Sequence, residues 1–121
     1  MHPKQFLQIG GVILVLLGVI GFMKPDFAGD FLNFDGPENW SHLVLGVVAI
    51  SLAPLAIGEL KKWVVVLVGL VALVFGILGF MVSGNPAPNF YGVTNFENPA
   101  DNVLHVVVGL WAFFAAFNKK G

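Results

Sequence analysis

The sequence predicts an all-α integral membrane protein. It reads as a four-helix bundle built from two parallel two-helix repeats, with the N and C termini cytoplasmic. Three observations predict it. The 121 residues are 57% hydrophobic and only 11% charged, whereas a soluble domain is about 45–50% apolar and about 25% charged. Apolar runs of spanning length recur four times. Those runs form two copies of one pattern. Mean hydropathy is +0.86, and a small domain buries only about two-thirds of its surface, so the expected solvent for much of this chain is lipid. A soluble enzyme, a disordered chain and a nucleic-acid binder are disfavoured on the same grounds. Six lysines and seven acids give a net charge of -1, with no basic run of the kind that binds nucleic acid. With no cysteine, disulfides, thiolate metal sites and a cysteine nucleophile are excluded.

The expected spans are about residues 6–23, 40–57, 63–82 and 99–118 of one transmembrane domain. A helix needs about 20 predominantly apolar residues to cross a bilayer. The first run is broken only by Gln8, the second holds Ser41, His42 and Ser51, and the third carries no charge. The fourth reaches spanning length once its polar start is included. Pro54 is the one strong helix breaker, and lipid-embedded helices tolerate proline with a kink. The first run does not read as a cleaved signal peptide, because Lys24-Pro25-Asp26 follows Met23 where a small-x-small site would stand. Lys4, Lys61, Lys62, Lys119 and Lys120 fall on one side of this topology and only Lys24 on the other. By the positive-inside rule that side is cytoplasmic. The two outer loops are longer, and Phe27, Phe31, Phe34, Phe90, Tyr91 and Phe96 suit an interfacial belt with loop packing, or a docking surface.

The repeats cover about residues 1–60 and 61–121. Gly11, Gly18, Gly21, Phe22 and Met23 coincide with Gly69, Gly76, Gly79, Phe80 and Met81 at a constant offset of 58 (Gly11 to Gly69). The outer loops share Asn33-Phe34-Asp35 and Asn95-Phe96-Glu97. Asn39, His42, Gly46, Ala49 and Ala53 coincide with Asn102, His105, Gly109, Ala112 and Ala116 at an offset of 63 (Asn39 to Asn102). These spacings place each set on one helical stripe. Helices in lipid associate by close backbone approach, so the glycines and alanines mark packing faces. Asp35 with Glu38, and Asn98 with Asp101, read as capping boxes that open the even helices. Pro99 suits a first helical position.

His42 and His105 are the chemically versatile groups inside the spans. Each lies roughly 10 Å along its helix from the cap, with an acid four residues before it. An intramembrane polar group needs a partner, and a hydrogen bond to carboxylate, Asn or carbonyl is the simplest. The alternative is ligation: His42 and His105 facing each other across the bundle would hold a haem, a pigment or another metal, with Gly46 and Gly109 leaving room for a flat macrocycle. A proton relay through Glu38/His42 and Asp101/His105 is a third use, weakened by the absence of a midplane acid or lysine to continue it. No catalytic motif is present.

Gly18-Val-Ile-Gly21-Phe22, Asn39-Trp-Ser-His42-Leu-Val-Leu-Gly46 and Asp101-Asn102-Val-Leu-His105-Val-Val-Val-Gly109 resemble the motifs of a family of small four-helix bacterial membrane proteins classed as a domain of unknown function. The resemblance covers nearly the whole chain. It departs in the lack of arginine and in the longer Phe/Asn-rich outer loops. It implies a four-span fold in a bacterial or other prokaryotic plasma membrane, and no activity. The expectation is therefore a non-enzymatic, multi-pass protein without a cofactor. It would act as an accessory or structural subunit with a membrane-protein partner or as a homo-oligomer; a transporter or channel is disfavoured by the few polar residues in the spans.

Overall fold

The computed structural model describes residues 1–27, 29, 34–55 and 58–118. Asp30, Phe31 and Asn33 of the first loop, Ile57 at the end of the second apolar run, and Lys119 and Lys120 lie outside them. Four helices follow one another: α1 Pro3–Met23, α2 Gly36–Leu55, α3 Glu59–Met81 and α4 Ala100–Ala116. α1 and α3 are long and apolar enough to cross a membrane, while α4 is a shorter apolar helix of 17 residues. α2 starts earlier than its apolar run, because Gly36–Asn39 already wind into its first turn. α4 starts one residue later than expected: Pro99 is its N-cap rather than its first helical residue.

The chain forms two hairpins, α1 against α2 and α3 against α4, and glycine seams close both. A Cβ at Gly46 would lie 2.8 Å from the Gly11 carbonyl oxygen, and one at Gly11 would lie 2.9 Å from that of Gly46. In the second hairpin a Cβ at Gly109 would lie 3.1 Å from the Gly69 carbonyl, and one at Gly69 would lie 3.2 Å from that of Gly109. Gly18 and Gly76 take corresponding places, each with a Cβ position 3.0 Å from the backbone oxygen of Asn39 or Asn102. At Gly21 and Gly79 a Cβ would overlap the Oδ1 of those asparagines. Asn102 is fully buried. Neither Oδ1 has a conventional hydrogen-bond partner among the described residues. Each instead sits against a glycine Cα, the arrangement of the weak Cα–H···O contacts that recur between closely packed helices.

The hairpins meet at both ends. At the end holding Met1, Phe6 and Leu7 of α1 pack with Ala53 of α2, Val65 of α3 and Ala112, Ala115 and Ala116 of α4. Trp111 stands edge-on to Phe6 with ring centroids 4.6 Å apart, and its Nε1–H donates to Met1 Sδ at 2.9 Å. Asn118 donates to the Met1 carbonyl at 2.6 Å, so the start of α1 and the end of α4 share one end of the bundle with Gly58, Lys4, Lys61 and Lys62. Asp26, Asp35, Glu38, Glu97 and Asp101 gather at the opposite end. Between these ends the large apolar side chains point outward: Leu16 is 54% exposed, Leu67 60% and Phe114 64%.

Candidate functional site

The polar end of the bundle is built where α2 and α4 begin. Asp35 precedes α2 and accepts the Glu38 N–H at 2.9 Å, which satisfies an early helix donor as an N-cap should. Glu38 does not complete the expected box. Its carboxylate turns to the second hairpin, where the Thr94 hydroxyl lies 3.3 Å from Glu38 Oε1 and 2.7 and 2.9 Å from the two Asp35 oxygens. The Asn95 N–H also donates to Asp35, at 2.9 Å. Asp35 therefore caps its own helix and ties the hairpins together.

The start of α4 departs from its expected box. Asn98 does not cap it; its Oδ1 accepts from Asn102 Nδ2 at 3.1 Å. Asp101 reaches back to the Glu97 N–H at 2.7 Å, one residue beyond the predicted target. The reason is the loop, which carries Pro99 at the N-cap with no side-chain cap bond.

That loop is held by residues the sequence reading passed over. Asn89 is buried and behaves as a strand of its own: its Nδ2 donates to the Phe96 carbonyl at 2.9 Å and its Oδ1 accepts the Phe96 N–H at 2.9 Å. Its backbone N–H donates to Asn95 Oδ1 at 3.0 Å. Tyr91 and Gly92, with φ of 54° and 73°, turn the chain so that the Phe90 N–H meets the Thr94 carbonyl at 3.0 Å; glycine takes that left-handed backbone without penalty. The turn delivers Thr94, the chain's only threonine, to Asp35. Its solitary occurrence in an Asn-rich loop was the available signal.

Glu38, Glu97 and Asp101 each place a carboxylate oxygen within 4.8 Å of the others. Glu38 lies ahead of the apolar run that starts at Trp40. Burial first, and then the neighbouring Asp101, Asp35 and Glu97, push its carboxyl up to about 9. Such a set can share a proton, as close carboxylates do, and has the hard oxygen donors that a divalent cation accepts. Glu97 and Asp101 come from the other hairpin, so linear spacing could not reveal the set.

His42 and His105 pack within their own hairpins. Phe34 stands edge-on to His42 at 6.0 Å, and Phe75 and Phe96 lie 6.0 and 5.1 Å from His105. Neither Nδ1 has a hydrogen-bond partner of ordinary geometry among the described residues. At Gly46 and Gly109 the space a Cβ would take is filled by the neighbouring odd helix. Val15 Cγ2 lies 2.7 Å from the Cβ position of Gly46, and Leu73 Cγ lies 2.6 Å from that of Gly109. Both glycines serve close approach to the odd helix of their own hairpin. Of the loop aromatics, Phe34 and Phe96 are buried over the glycine seams, while Phe27 and Tyr91 are exposed.

No curated protein and no solved structure matches the chain. The motifs of the second hairpin lie beyond the one family match. Residues 2–55, the α1–α2 hairpin with the Gly11–Gly46 seam and the Asp35 cap, match the model of the family described as Domain of unknown function (DUF4383).

Proposed function

We propose that the chain is a multi-pass protein of a prokaryotic plasma membrane with both termini cytoplasmic. In this reading it acts without catalysis, as an accessory or structural subunit of a membrane complex or homo-oligomer. One observation carries the reading. Glycine and alanine occupy the seams while leucine, valine, isoleucine and phenylalanine face outward, the inverse of a soluble bundle and the pattern of helices packed in lipid. Lysines at one end and most acids at the other support the orientation. The two hairpins, with seams built from corresponding residues, support an origin by internal duplication.

Three measurements test this. Alkaline carbonate should leave the protein in the membrane, and release would overturn the membrane reading. Lys4→Cys should be shielded from an impermeant thiol reagent in intact cells while Val93→Cys, in the exposed outer loop, labels; the reverse result refutes the orientation. In mild detergent the native protein should run as a complex or oligomer, and a constant lone monomer would sink the subunit role. A haem or pigment band lost in both His42→Ala and His105→Ala would replace this reading with a cofactor-binding one.

A further inference from the structure

The sequence holds no basic run, yet the fold assembles a basic cleft. The starts of α1 and α3 come together at the lysine-bearing end of the bundle, around a concavity of about 230 Å³ lined by His2, Pro3, Lys4, Gly58 and Lys61. No acid lines it. The one acid nearby in sequence, Glu59, is turned to Lys62, with Nζ and Oε2 4.0 Å apart. Lys62 is drawn away from the cleft; its ammonium also lies 5.2 Å from the Trp63 ring centre and 5.0 Å from that of Phe117. Among the described residues no ion pair engages Lys4 or Lys61. Gly58 is the N-cap of α3 and has no side chain with which to cap it. The first-turn N–H groups of a helix lack intrahelical acceptors, and oxyanions bind well at such ends.

From this cleft we infer a binding site for a phosphate group, held between the Lys4 and Lys61 ammonium groups with His2 and the opening turn of α3 as further donors. Lysine is a point-charge binder of phosphate, and the cleft supplies two such charges from elements far apart in sequence. Exposed Trp63, two residues after Lys61, starts the apolar stretch of α3. That is the level of the headgroups if the membrane reading holds, and basic pockets between helices on the cytoplasmic side suit anionic headgroups. The membrane reading bears only on the source of the phosphate, a phospholipid or the soluble pool, and not on the cleft.

The test is thermal stabilisation of the full chain in a neutral detergent. Three additions are compared: short-chain phosphatidylglycerol, short-chain phosphatidylcholine and inorganic phosphate. Phosphatidylglycerol should stabilise the protein, and phosphatidylcholine, whose charge is neutralised by its own choline, should not. In the Lys4→Gln/Lys61→Gln variant the half-saturating concentration should rise by about 25-fold, with each single variant near fivefold, as expected for charges worth about 1 kcal/mol each. Lys24→Gln, at the opposite end, should behave as wild type. An equal response in the double variant, or to phosphatidylcholine, overturns the site. Stabilisation by inorganic phosphate that the double variant loses retains the site and makes its source soluble. Carbonate extraction of the membranes from which the protein is purified separates failure of the membrane reading from failure of the cleft, and circular dichroism of each variant confirms that it is folded.

Discussion

The two hairpins share their seams and differ in their loops. Gly11, Gly18 and Gly21 meet α2 as Gly69, Gly76 and Gly79 meet α4, down to the asparagine oxygen lying on the last glycine of each set. The loop after α3 is a built object, with Asn89 holding Phe96 and a tight turn presenting Thr94. It extends across to the first hairpin and holds Asp35 there. Within a hairpin, then, stability comes from backbone approach that no side chain larger than hydrogen permits. Between hairpins at the polar end, it comes from hydrogen bonds to one carboxylate. The first kind of contact tolerates no added atom; the second tolerates size and fails when charge or hydroxyl is lost.

The largest effect should come from forcing an atom into a seam. Gly46→Ala places a Cβ 2.8 Å from the Gly11 carbonyl oxygen and from the Val15 nitrogen. It should lower stability by about 1–3 kcal/mol, the usual cost of overpacking, read as a fall in thermal midpoint in detergent. Gly36→Ala, with open space around its Cβ position, is the control and should be near neutral. Equal effects would break the seam argument.

Asp35→Ala should come next. It removes a cap worth about 0.5–2 kcal/mol and the acceptor of Thr94 and Asn95, so it should also loosen the second loop, seen as faster amide exchange at Asn95. If exchange at Asn95 is unchanged, Asp35 is a local cap and nothing more. Thr94→Val keeps the shape and removes the hydroxyl, and should cost about 1 kcal/mol; its effect should largely vanish in an Asp35→Ala background, because both changes break one contact.

The smallest expected effect is a slope with pH. Glu38 is raised from 4.5 to about 9, so the folded state holds its proton more tightly than the unfolded state. The stabilisation is then fully present below about 4.5 and declines as pH rises toward about 9. Glu38→Gln, which mimics the protonated acid, should flatten that decline in a thermal-midpoint series. A midpoint that rises with pH over this window would contradict the buried, proton-sharing arrangement.

Helix positions and packing faces were legible from local rules. Spacings of three and four residues put Asn39, Gly46 and Ala53 on one stripe of α2, and composition separated small residues from large. Asp35 as a cap was also legible, since a cap acts on the turn that follows it. Asn98 was misread because a local motif presumes a local loop path, and the path into α4 is set by Pro99 and by Asn89 nine residues before Asn98. The roles of Glu38 and His105 lay further out of reach. One faces carboxylates supplied by the other hairpin, and the other packs on Phe75 and Phe96.

The sequence by itself determined four helices, their small-residue faces, the segregation of lysines from acids and the places where polar groups interrupt the apolar runs. Each of these follows from periodicity and composition within a few turns. Only the tertiary structure decided which neighbour each face meets. Gly46 and Gly109 approach their own odd helices, Asp35 reaches Thr94, Glu38 joins Glu97 and Asp101, and Lys4 stands across a cleft from Lys61. Helical spacing sets the direction of a side chain about its own axis. What occupies that direction depends on the course of the connecting loops, and no spacing within one helix carries that information.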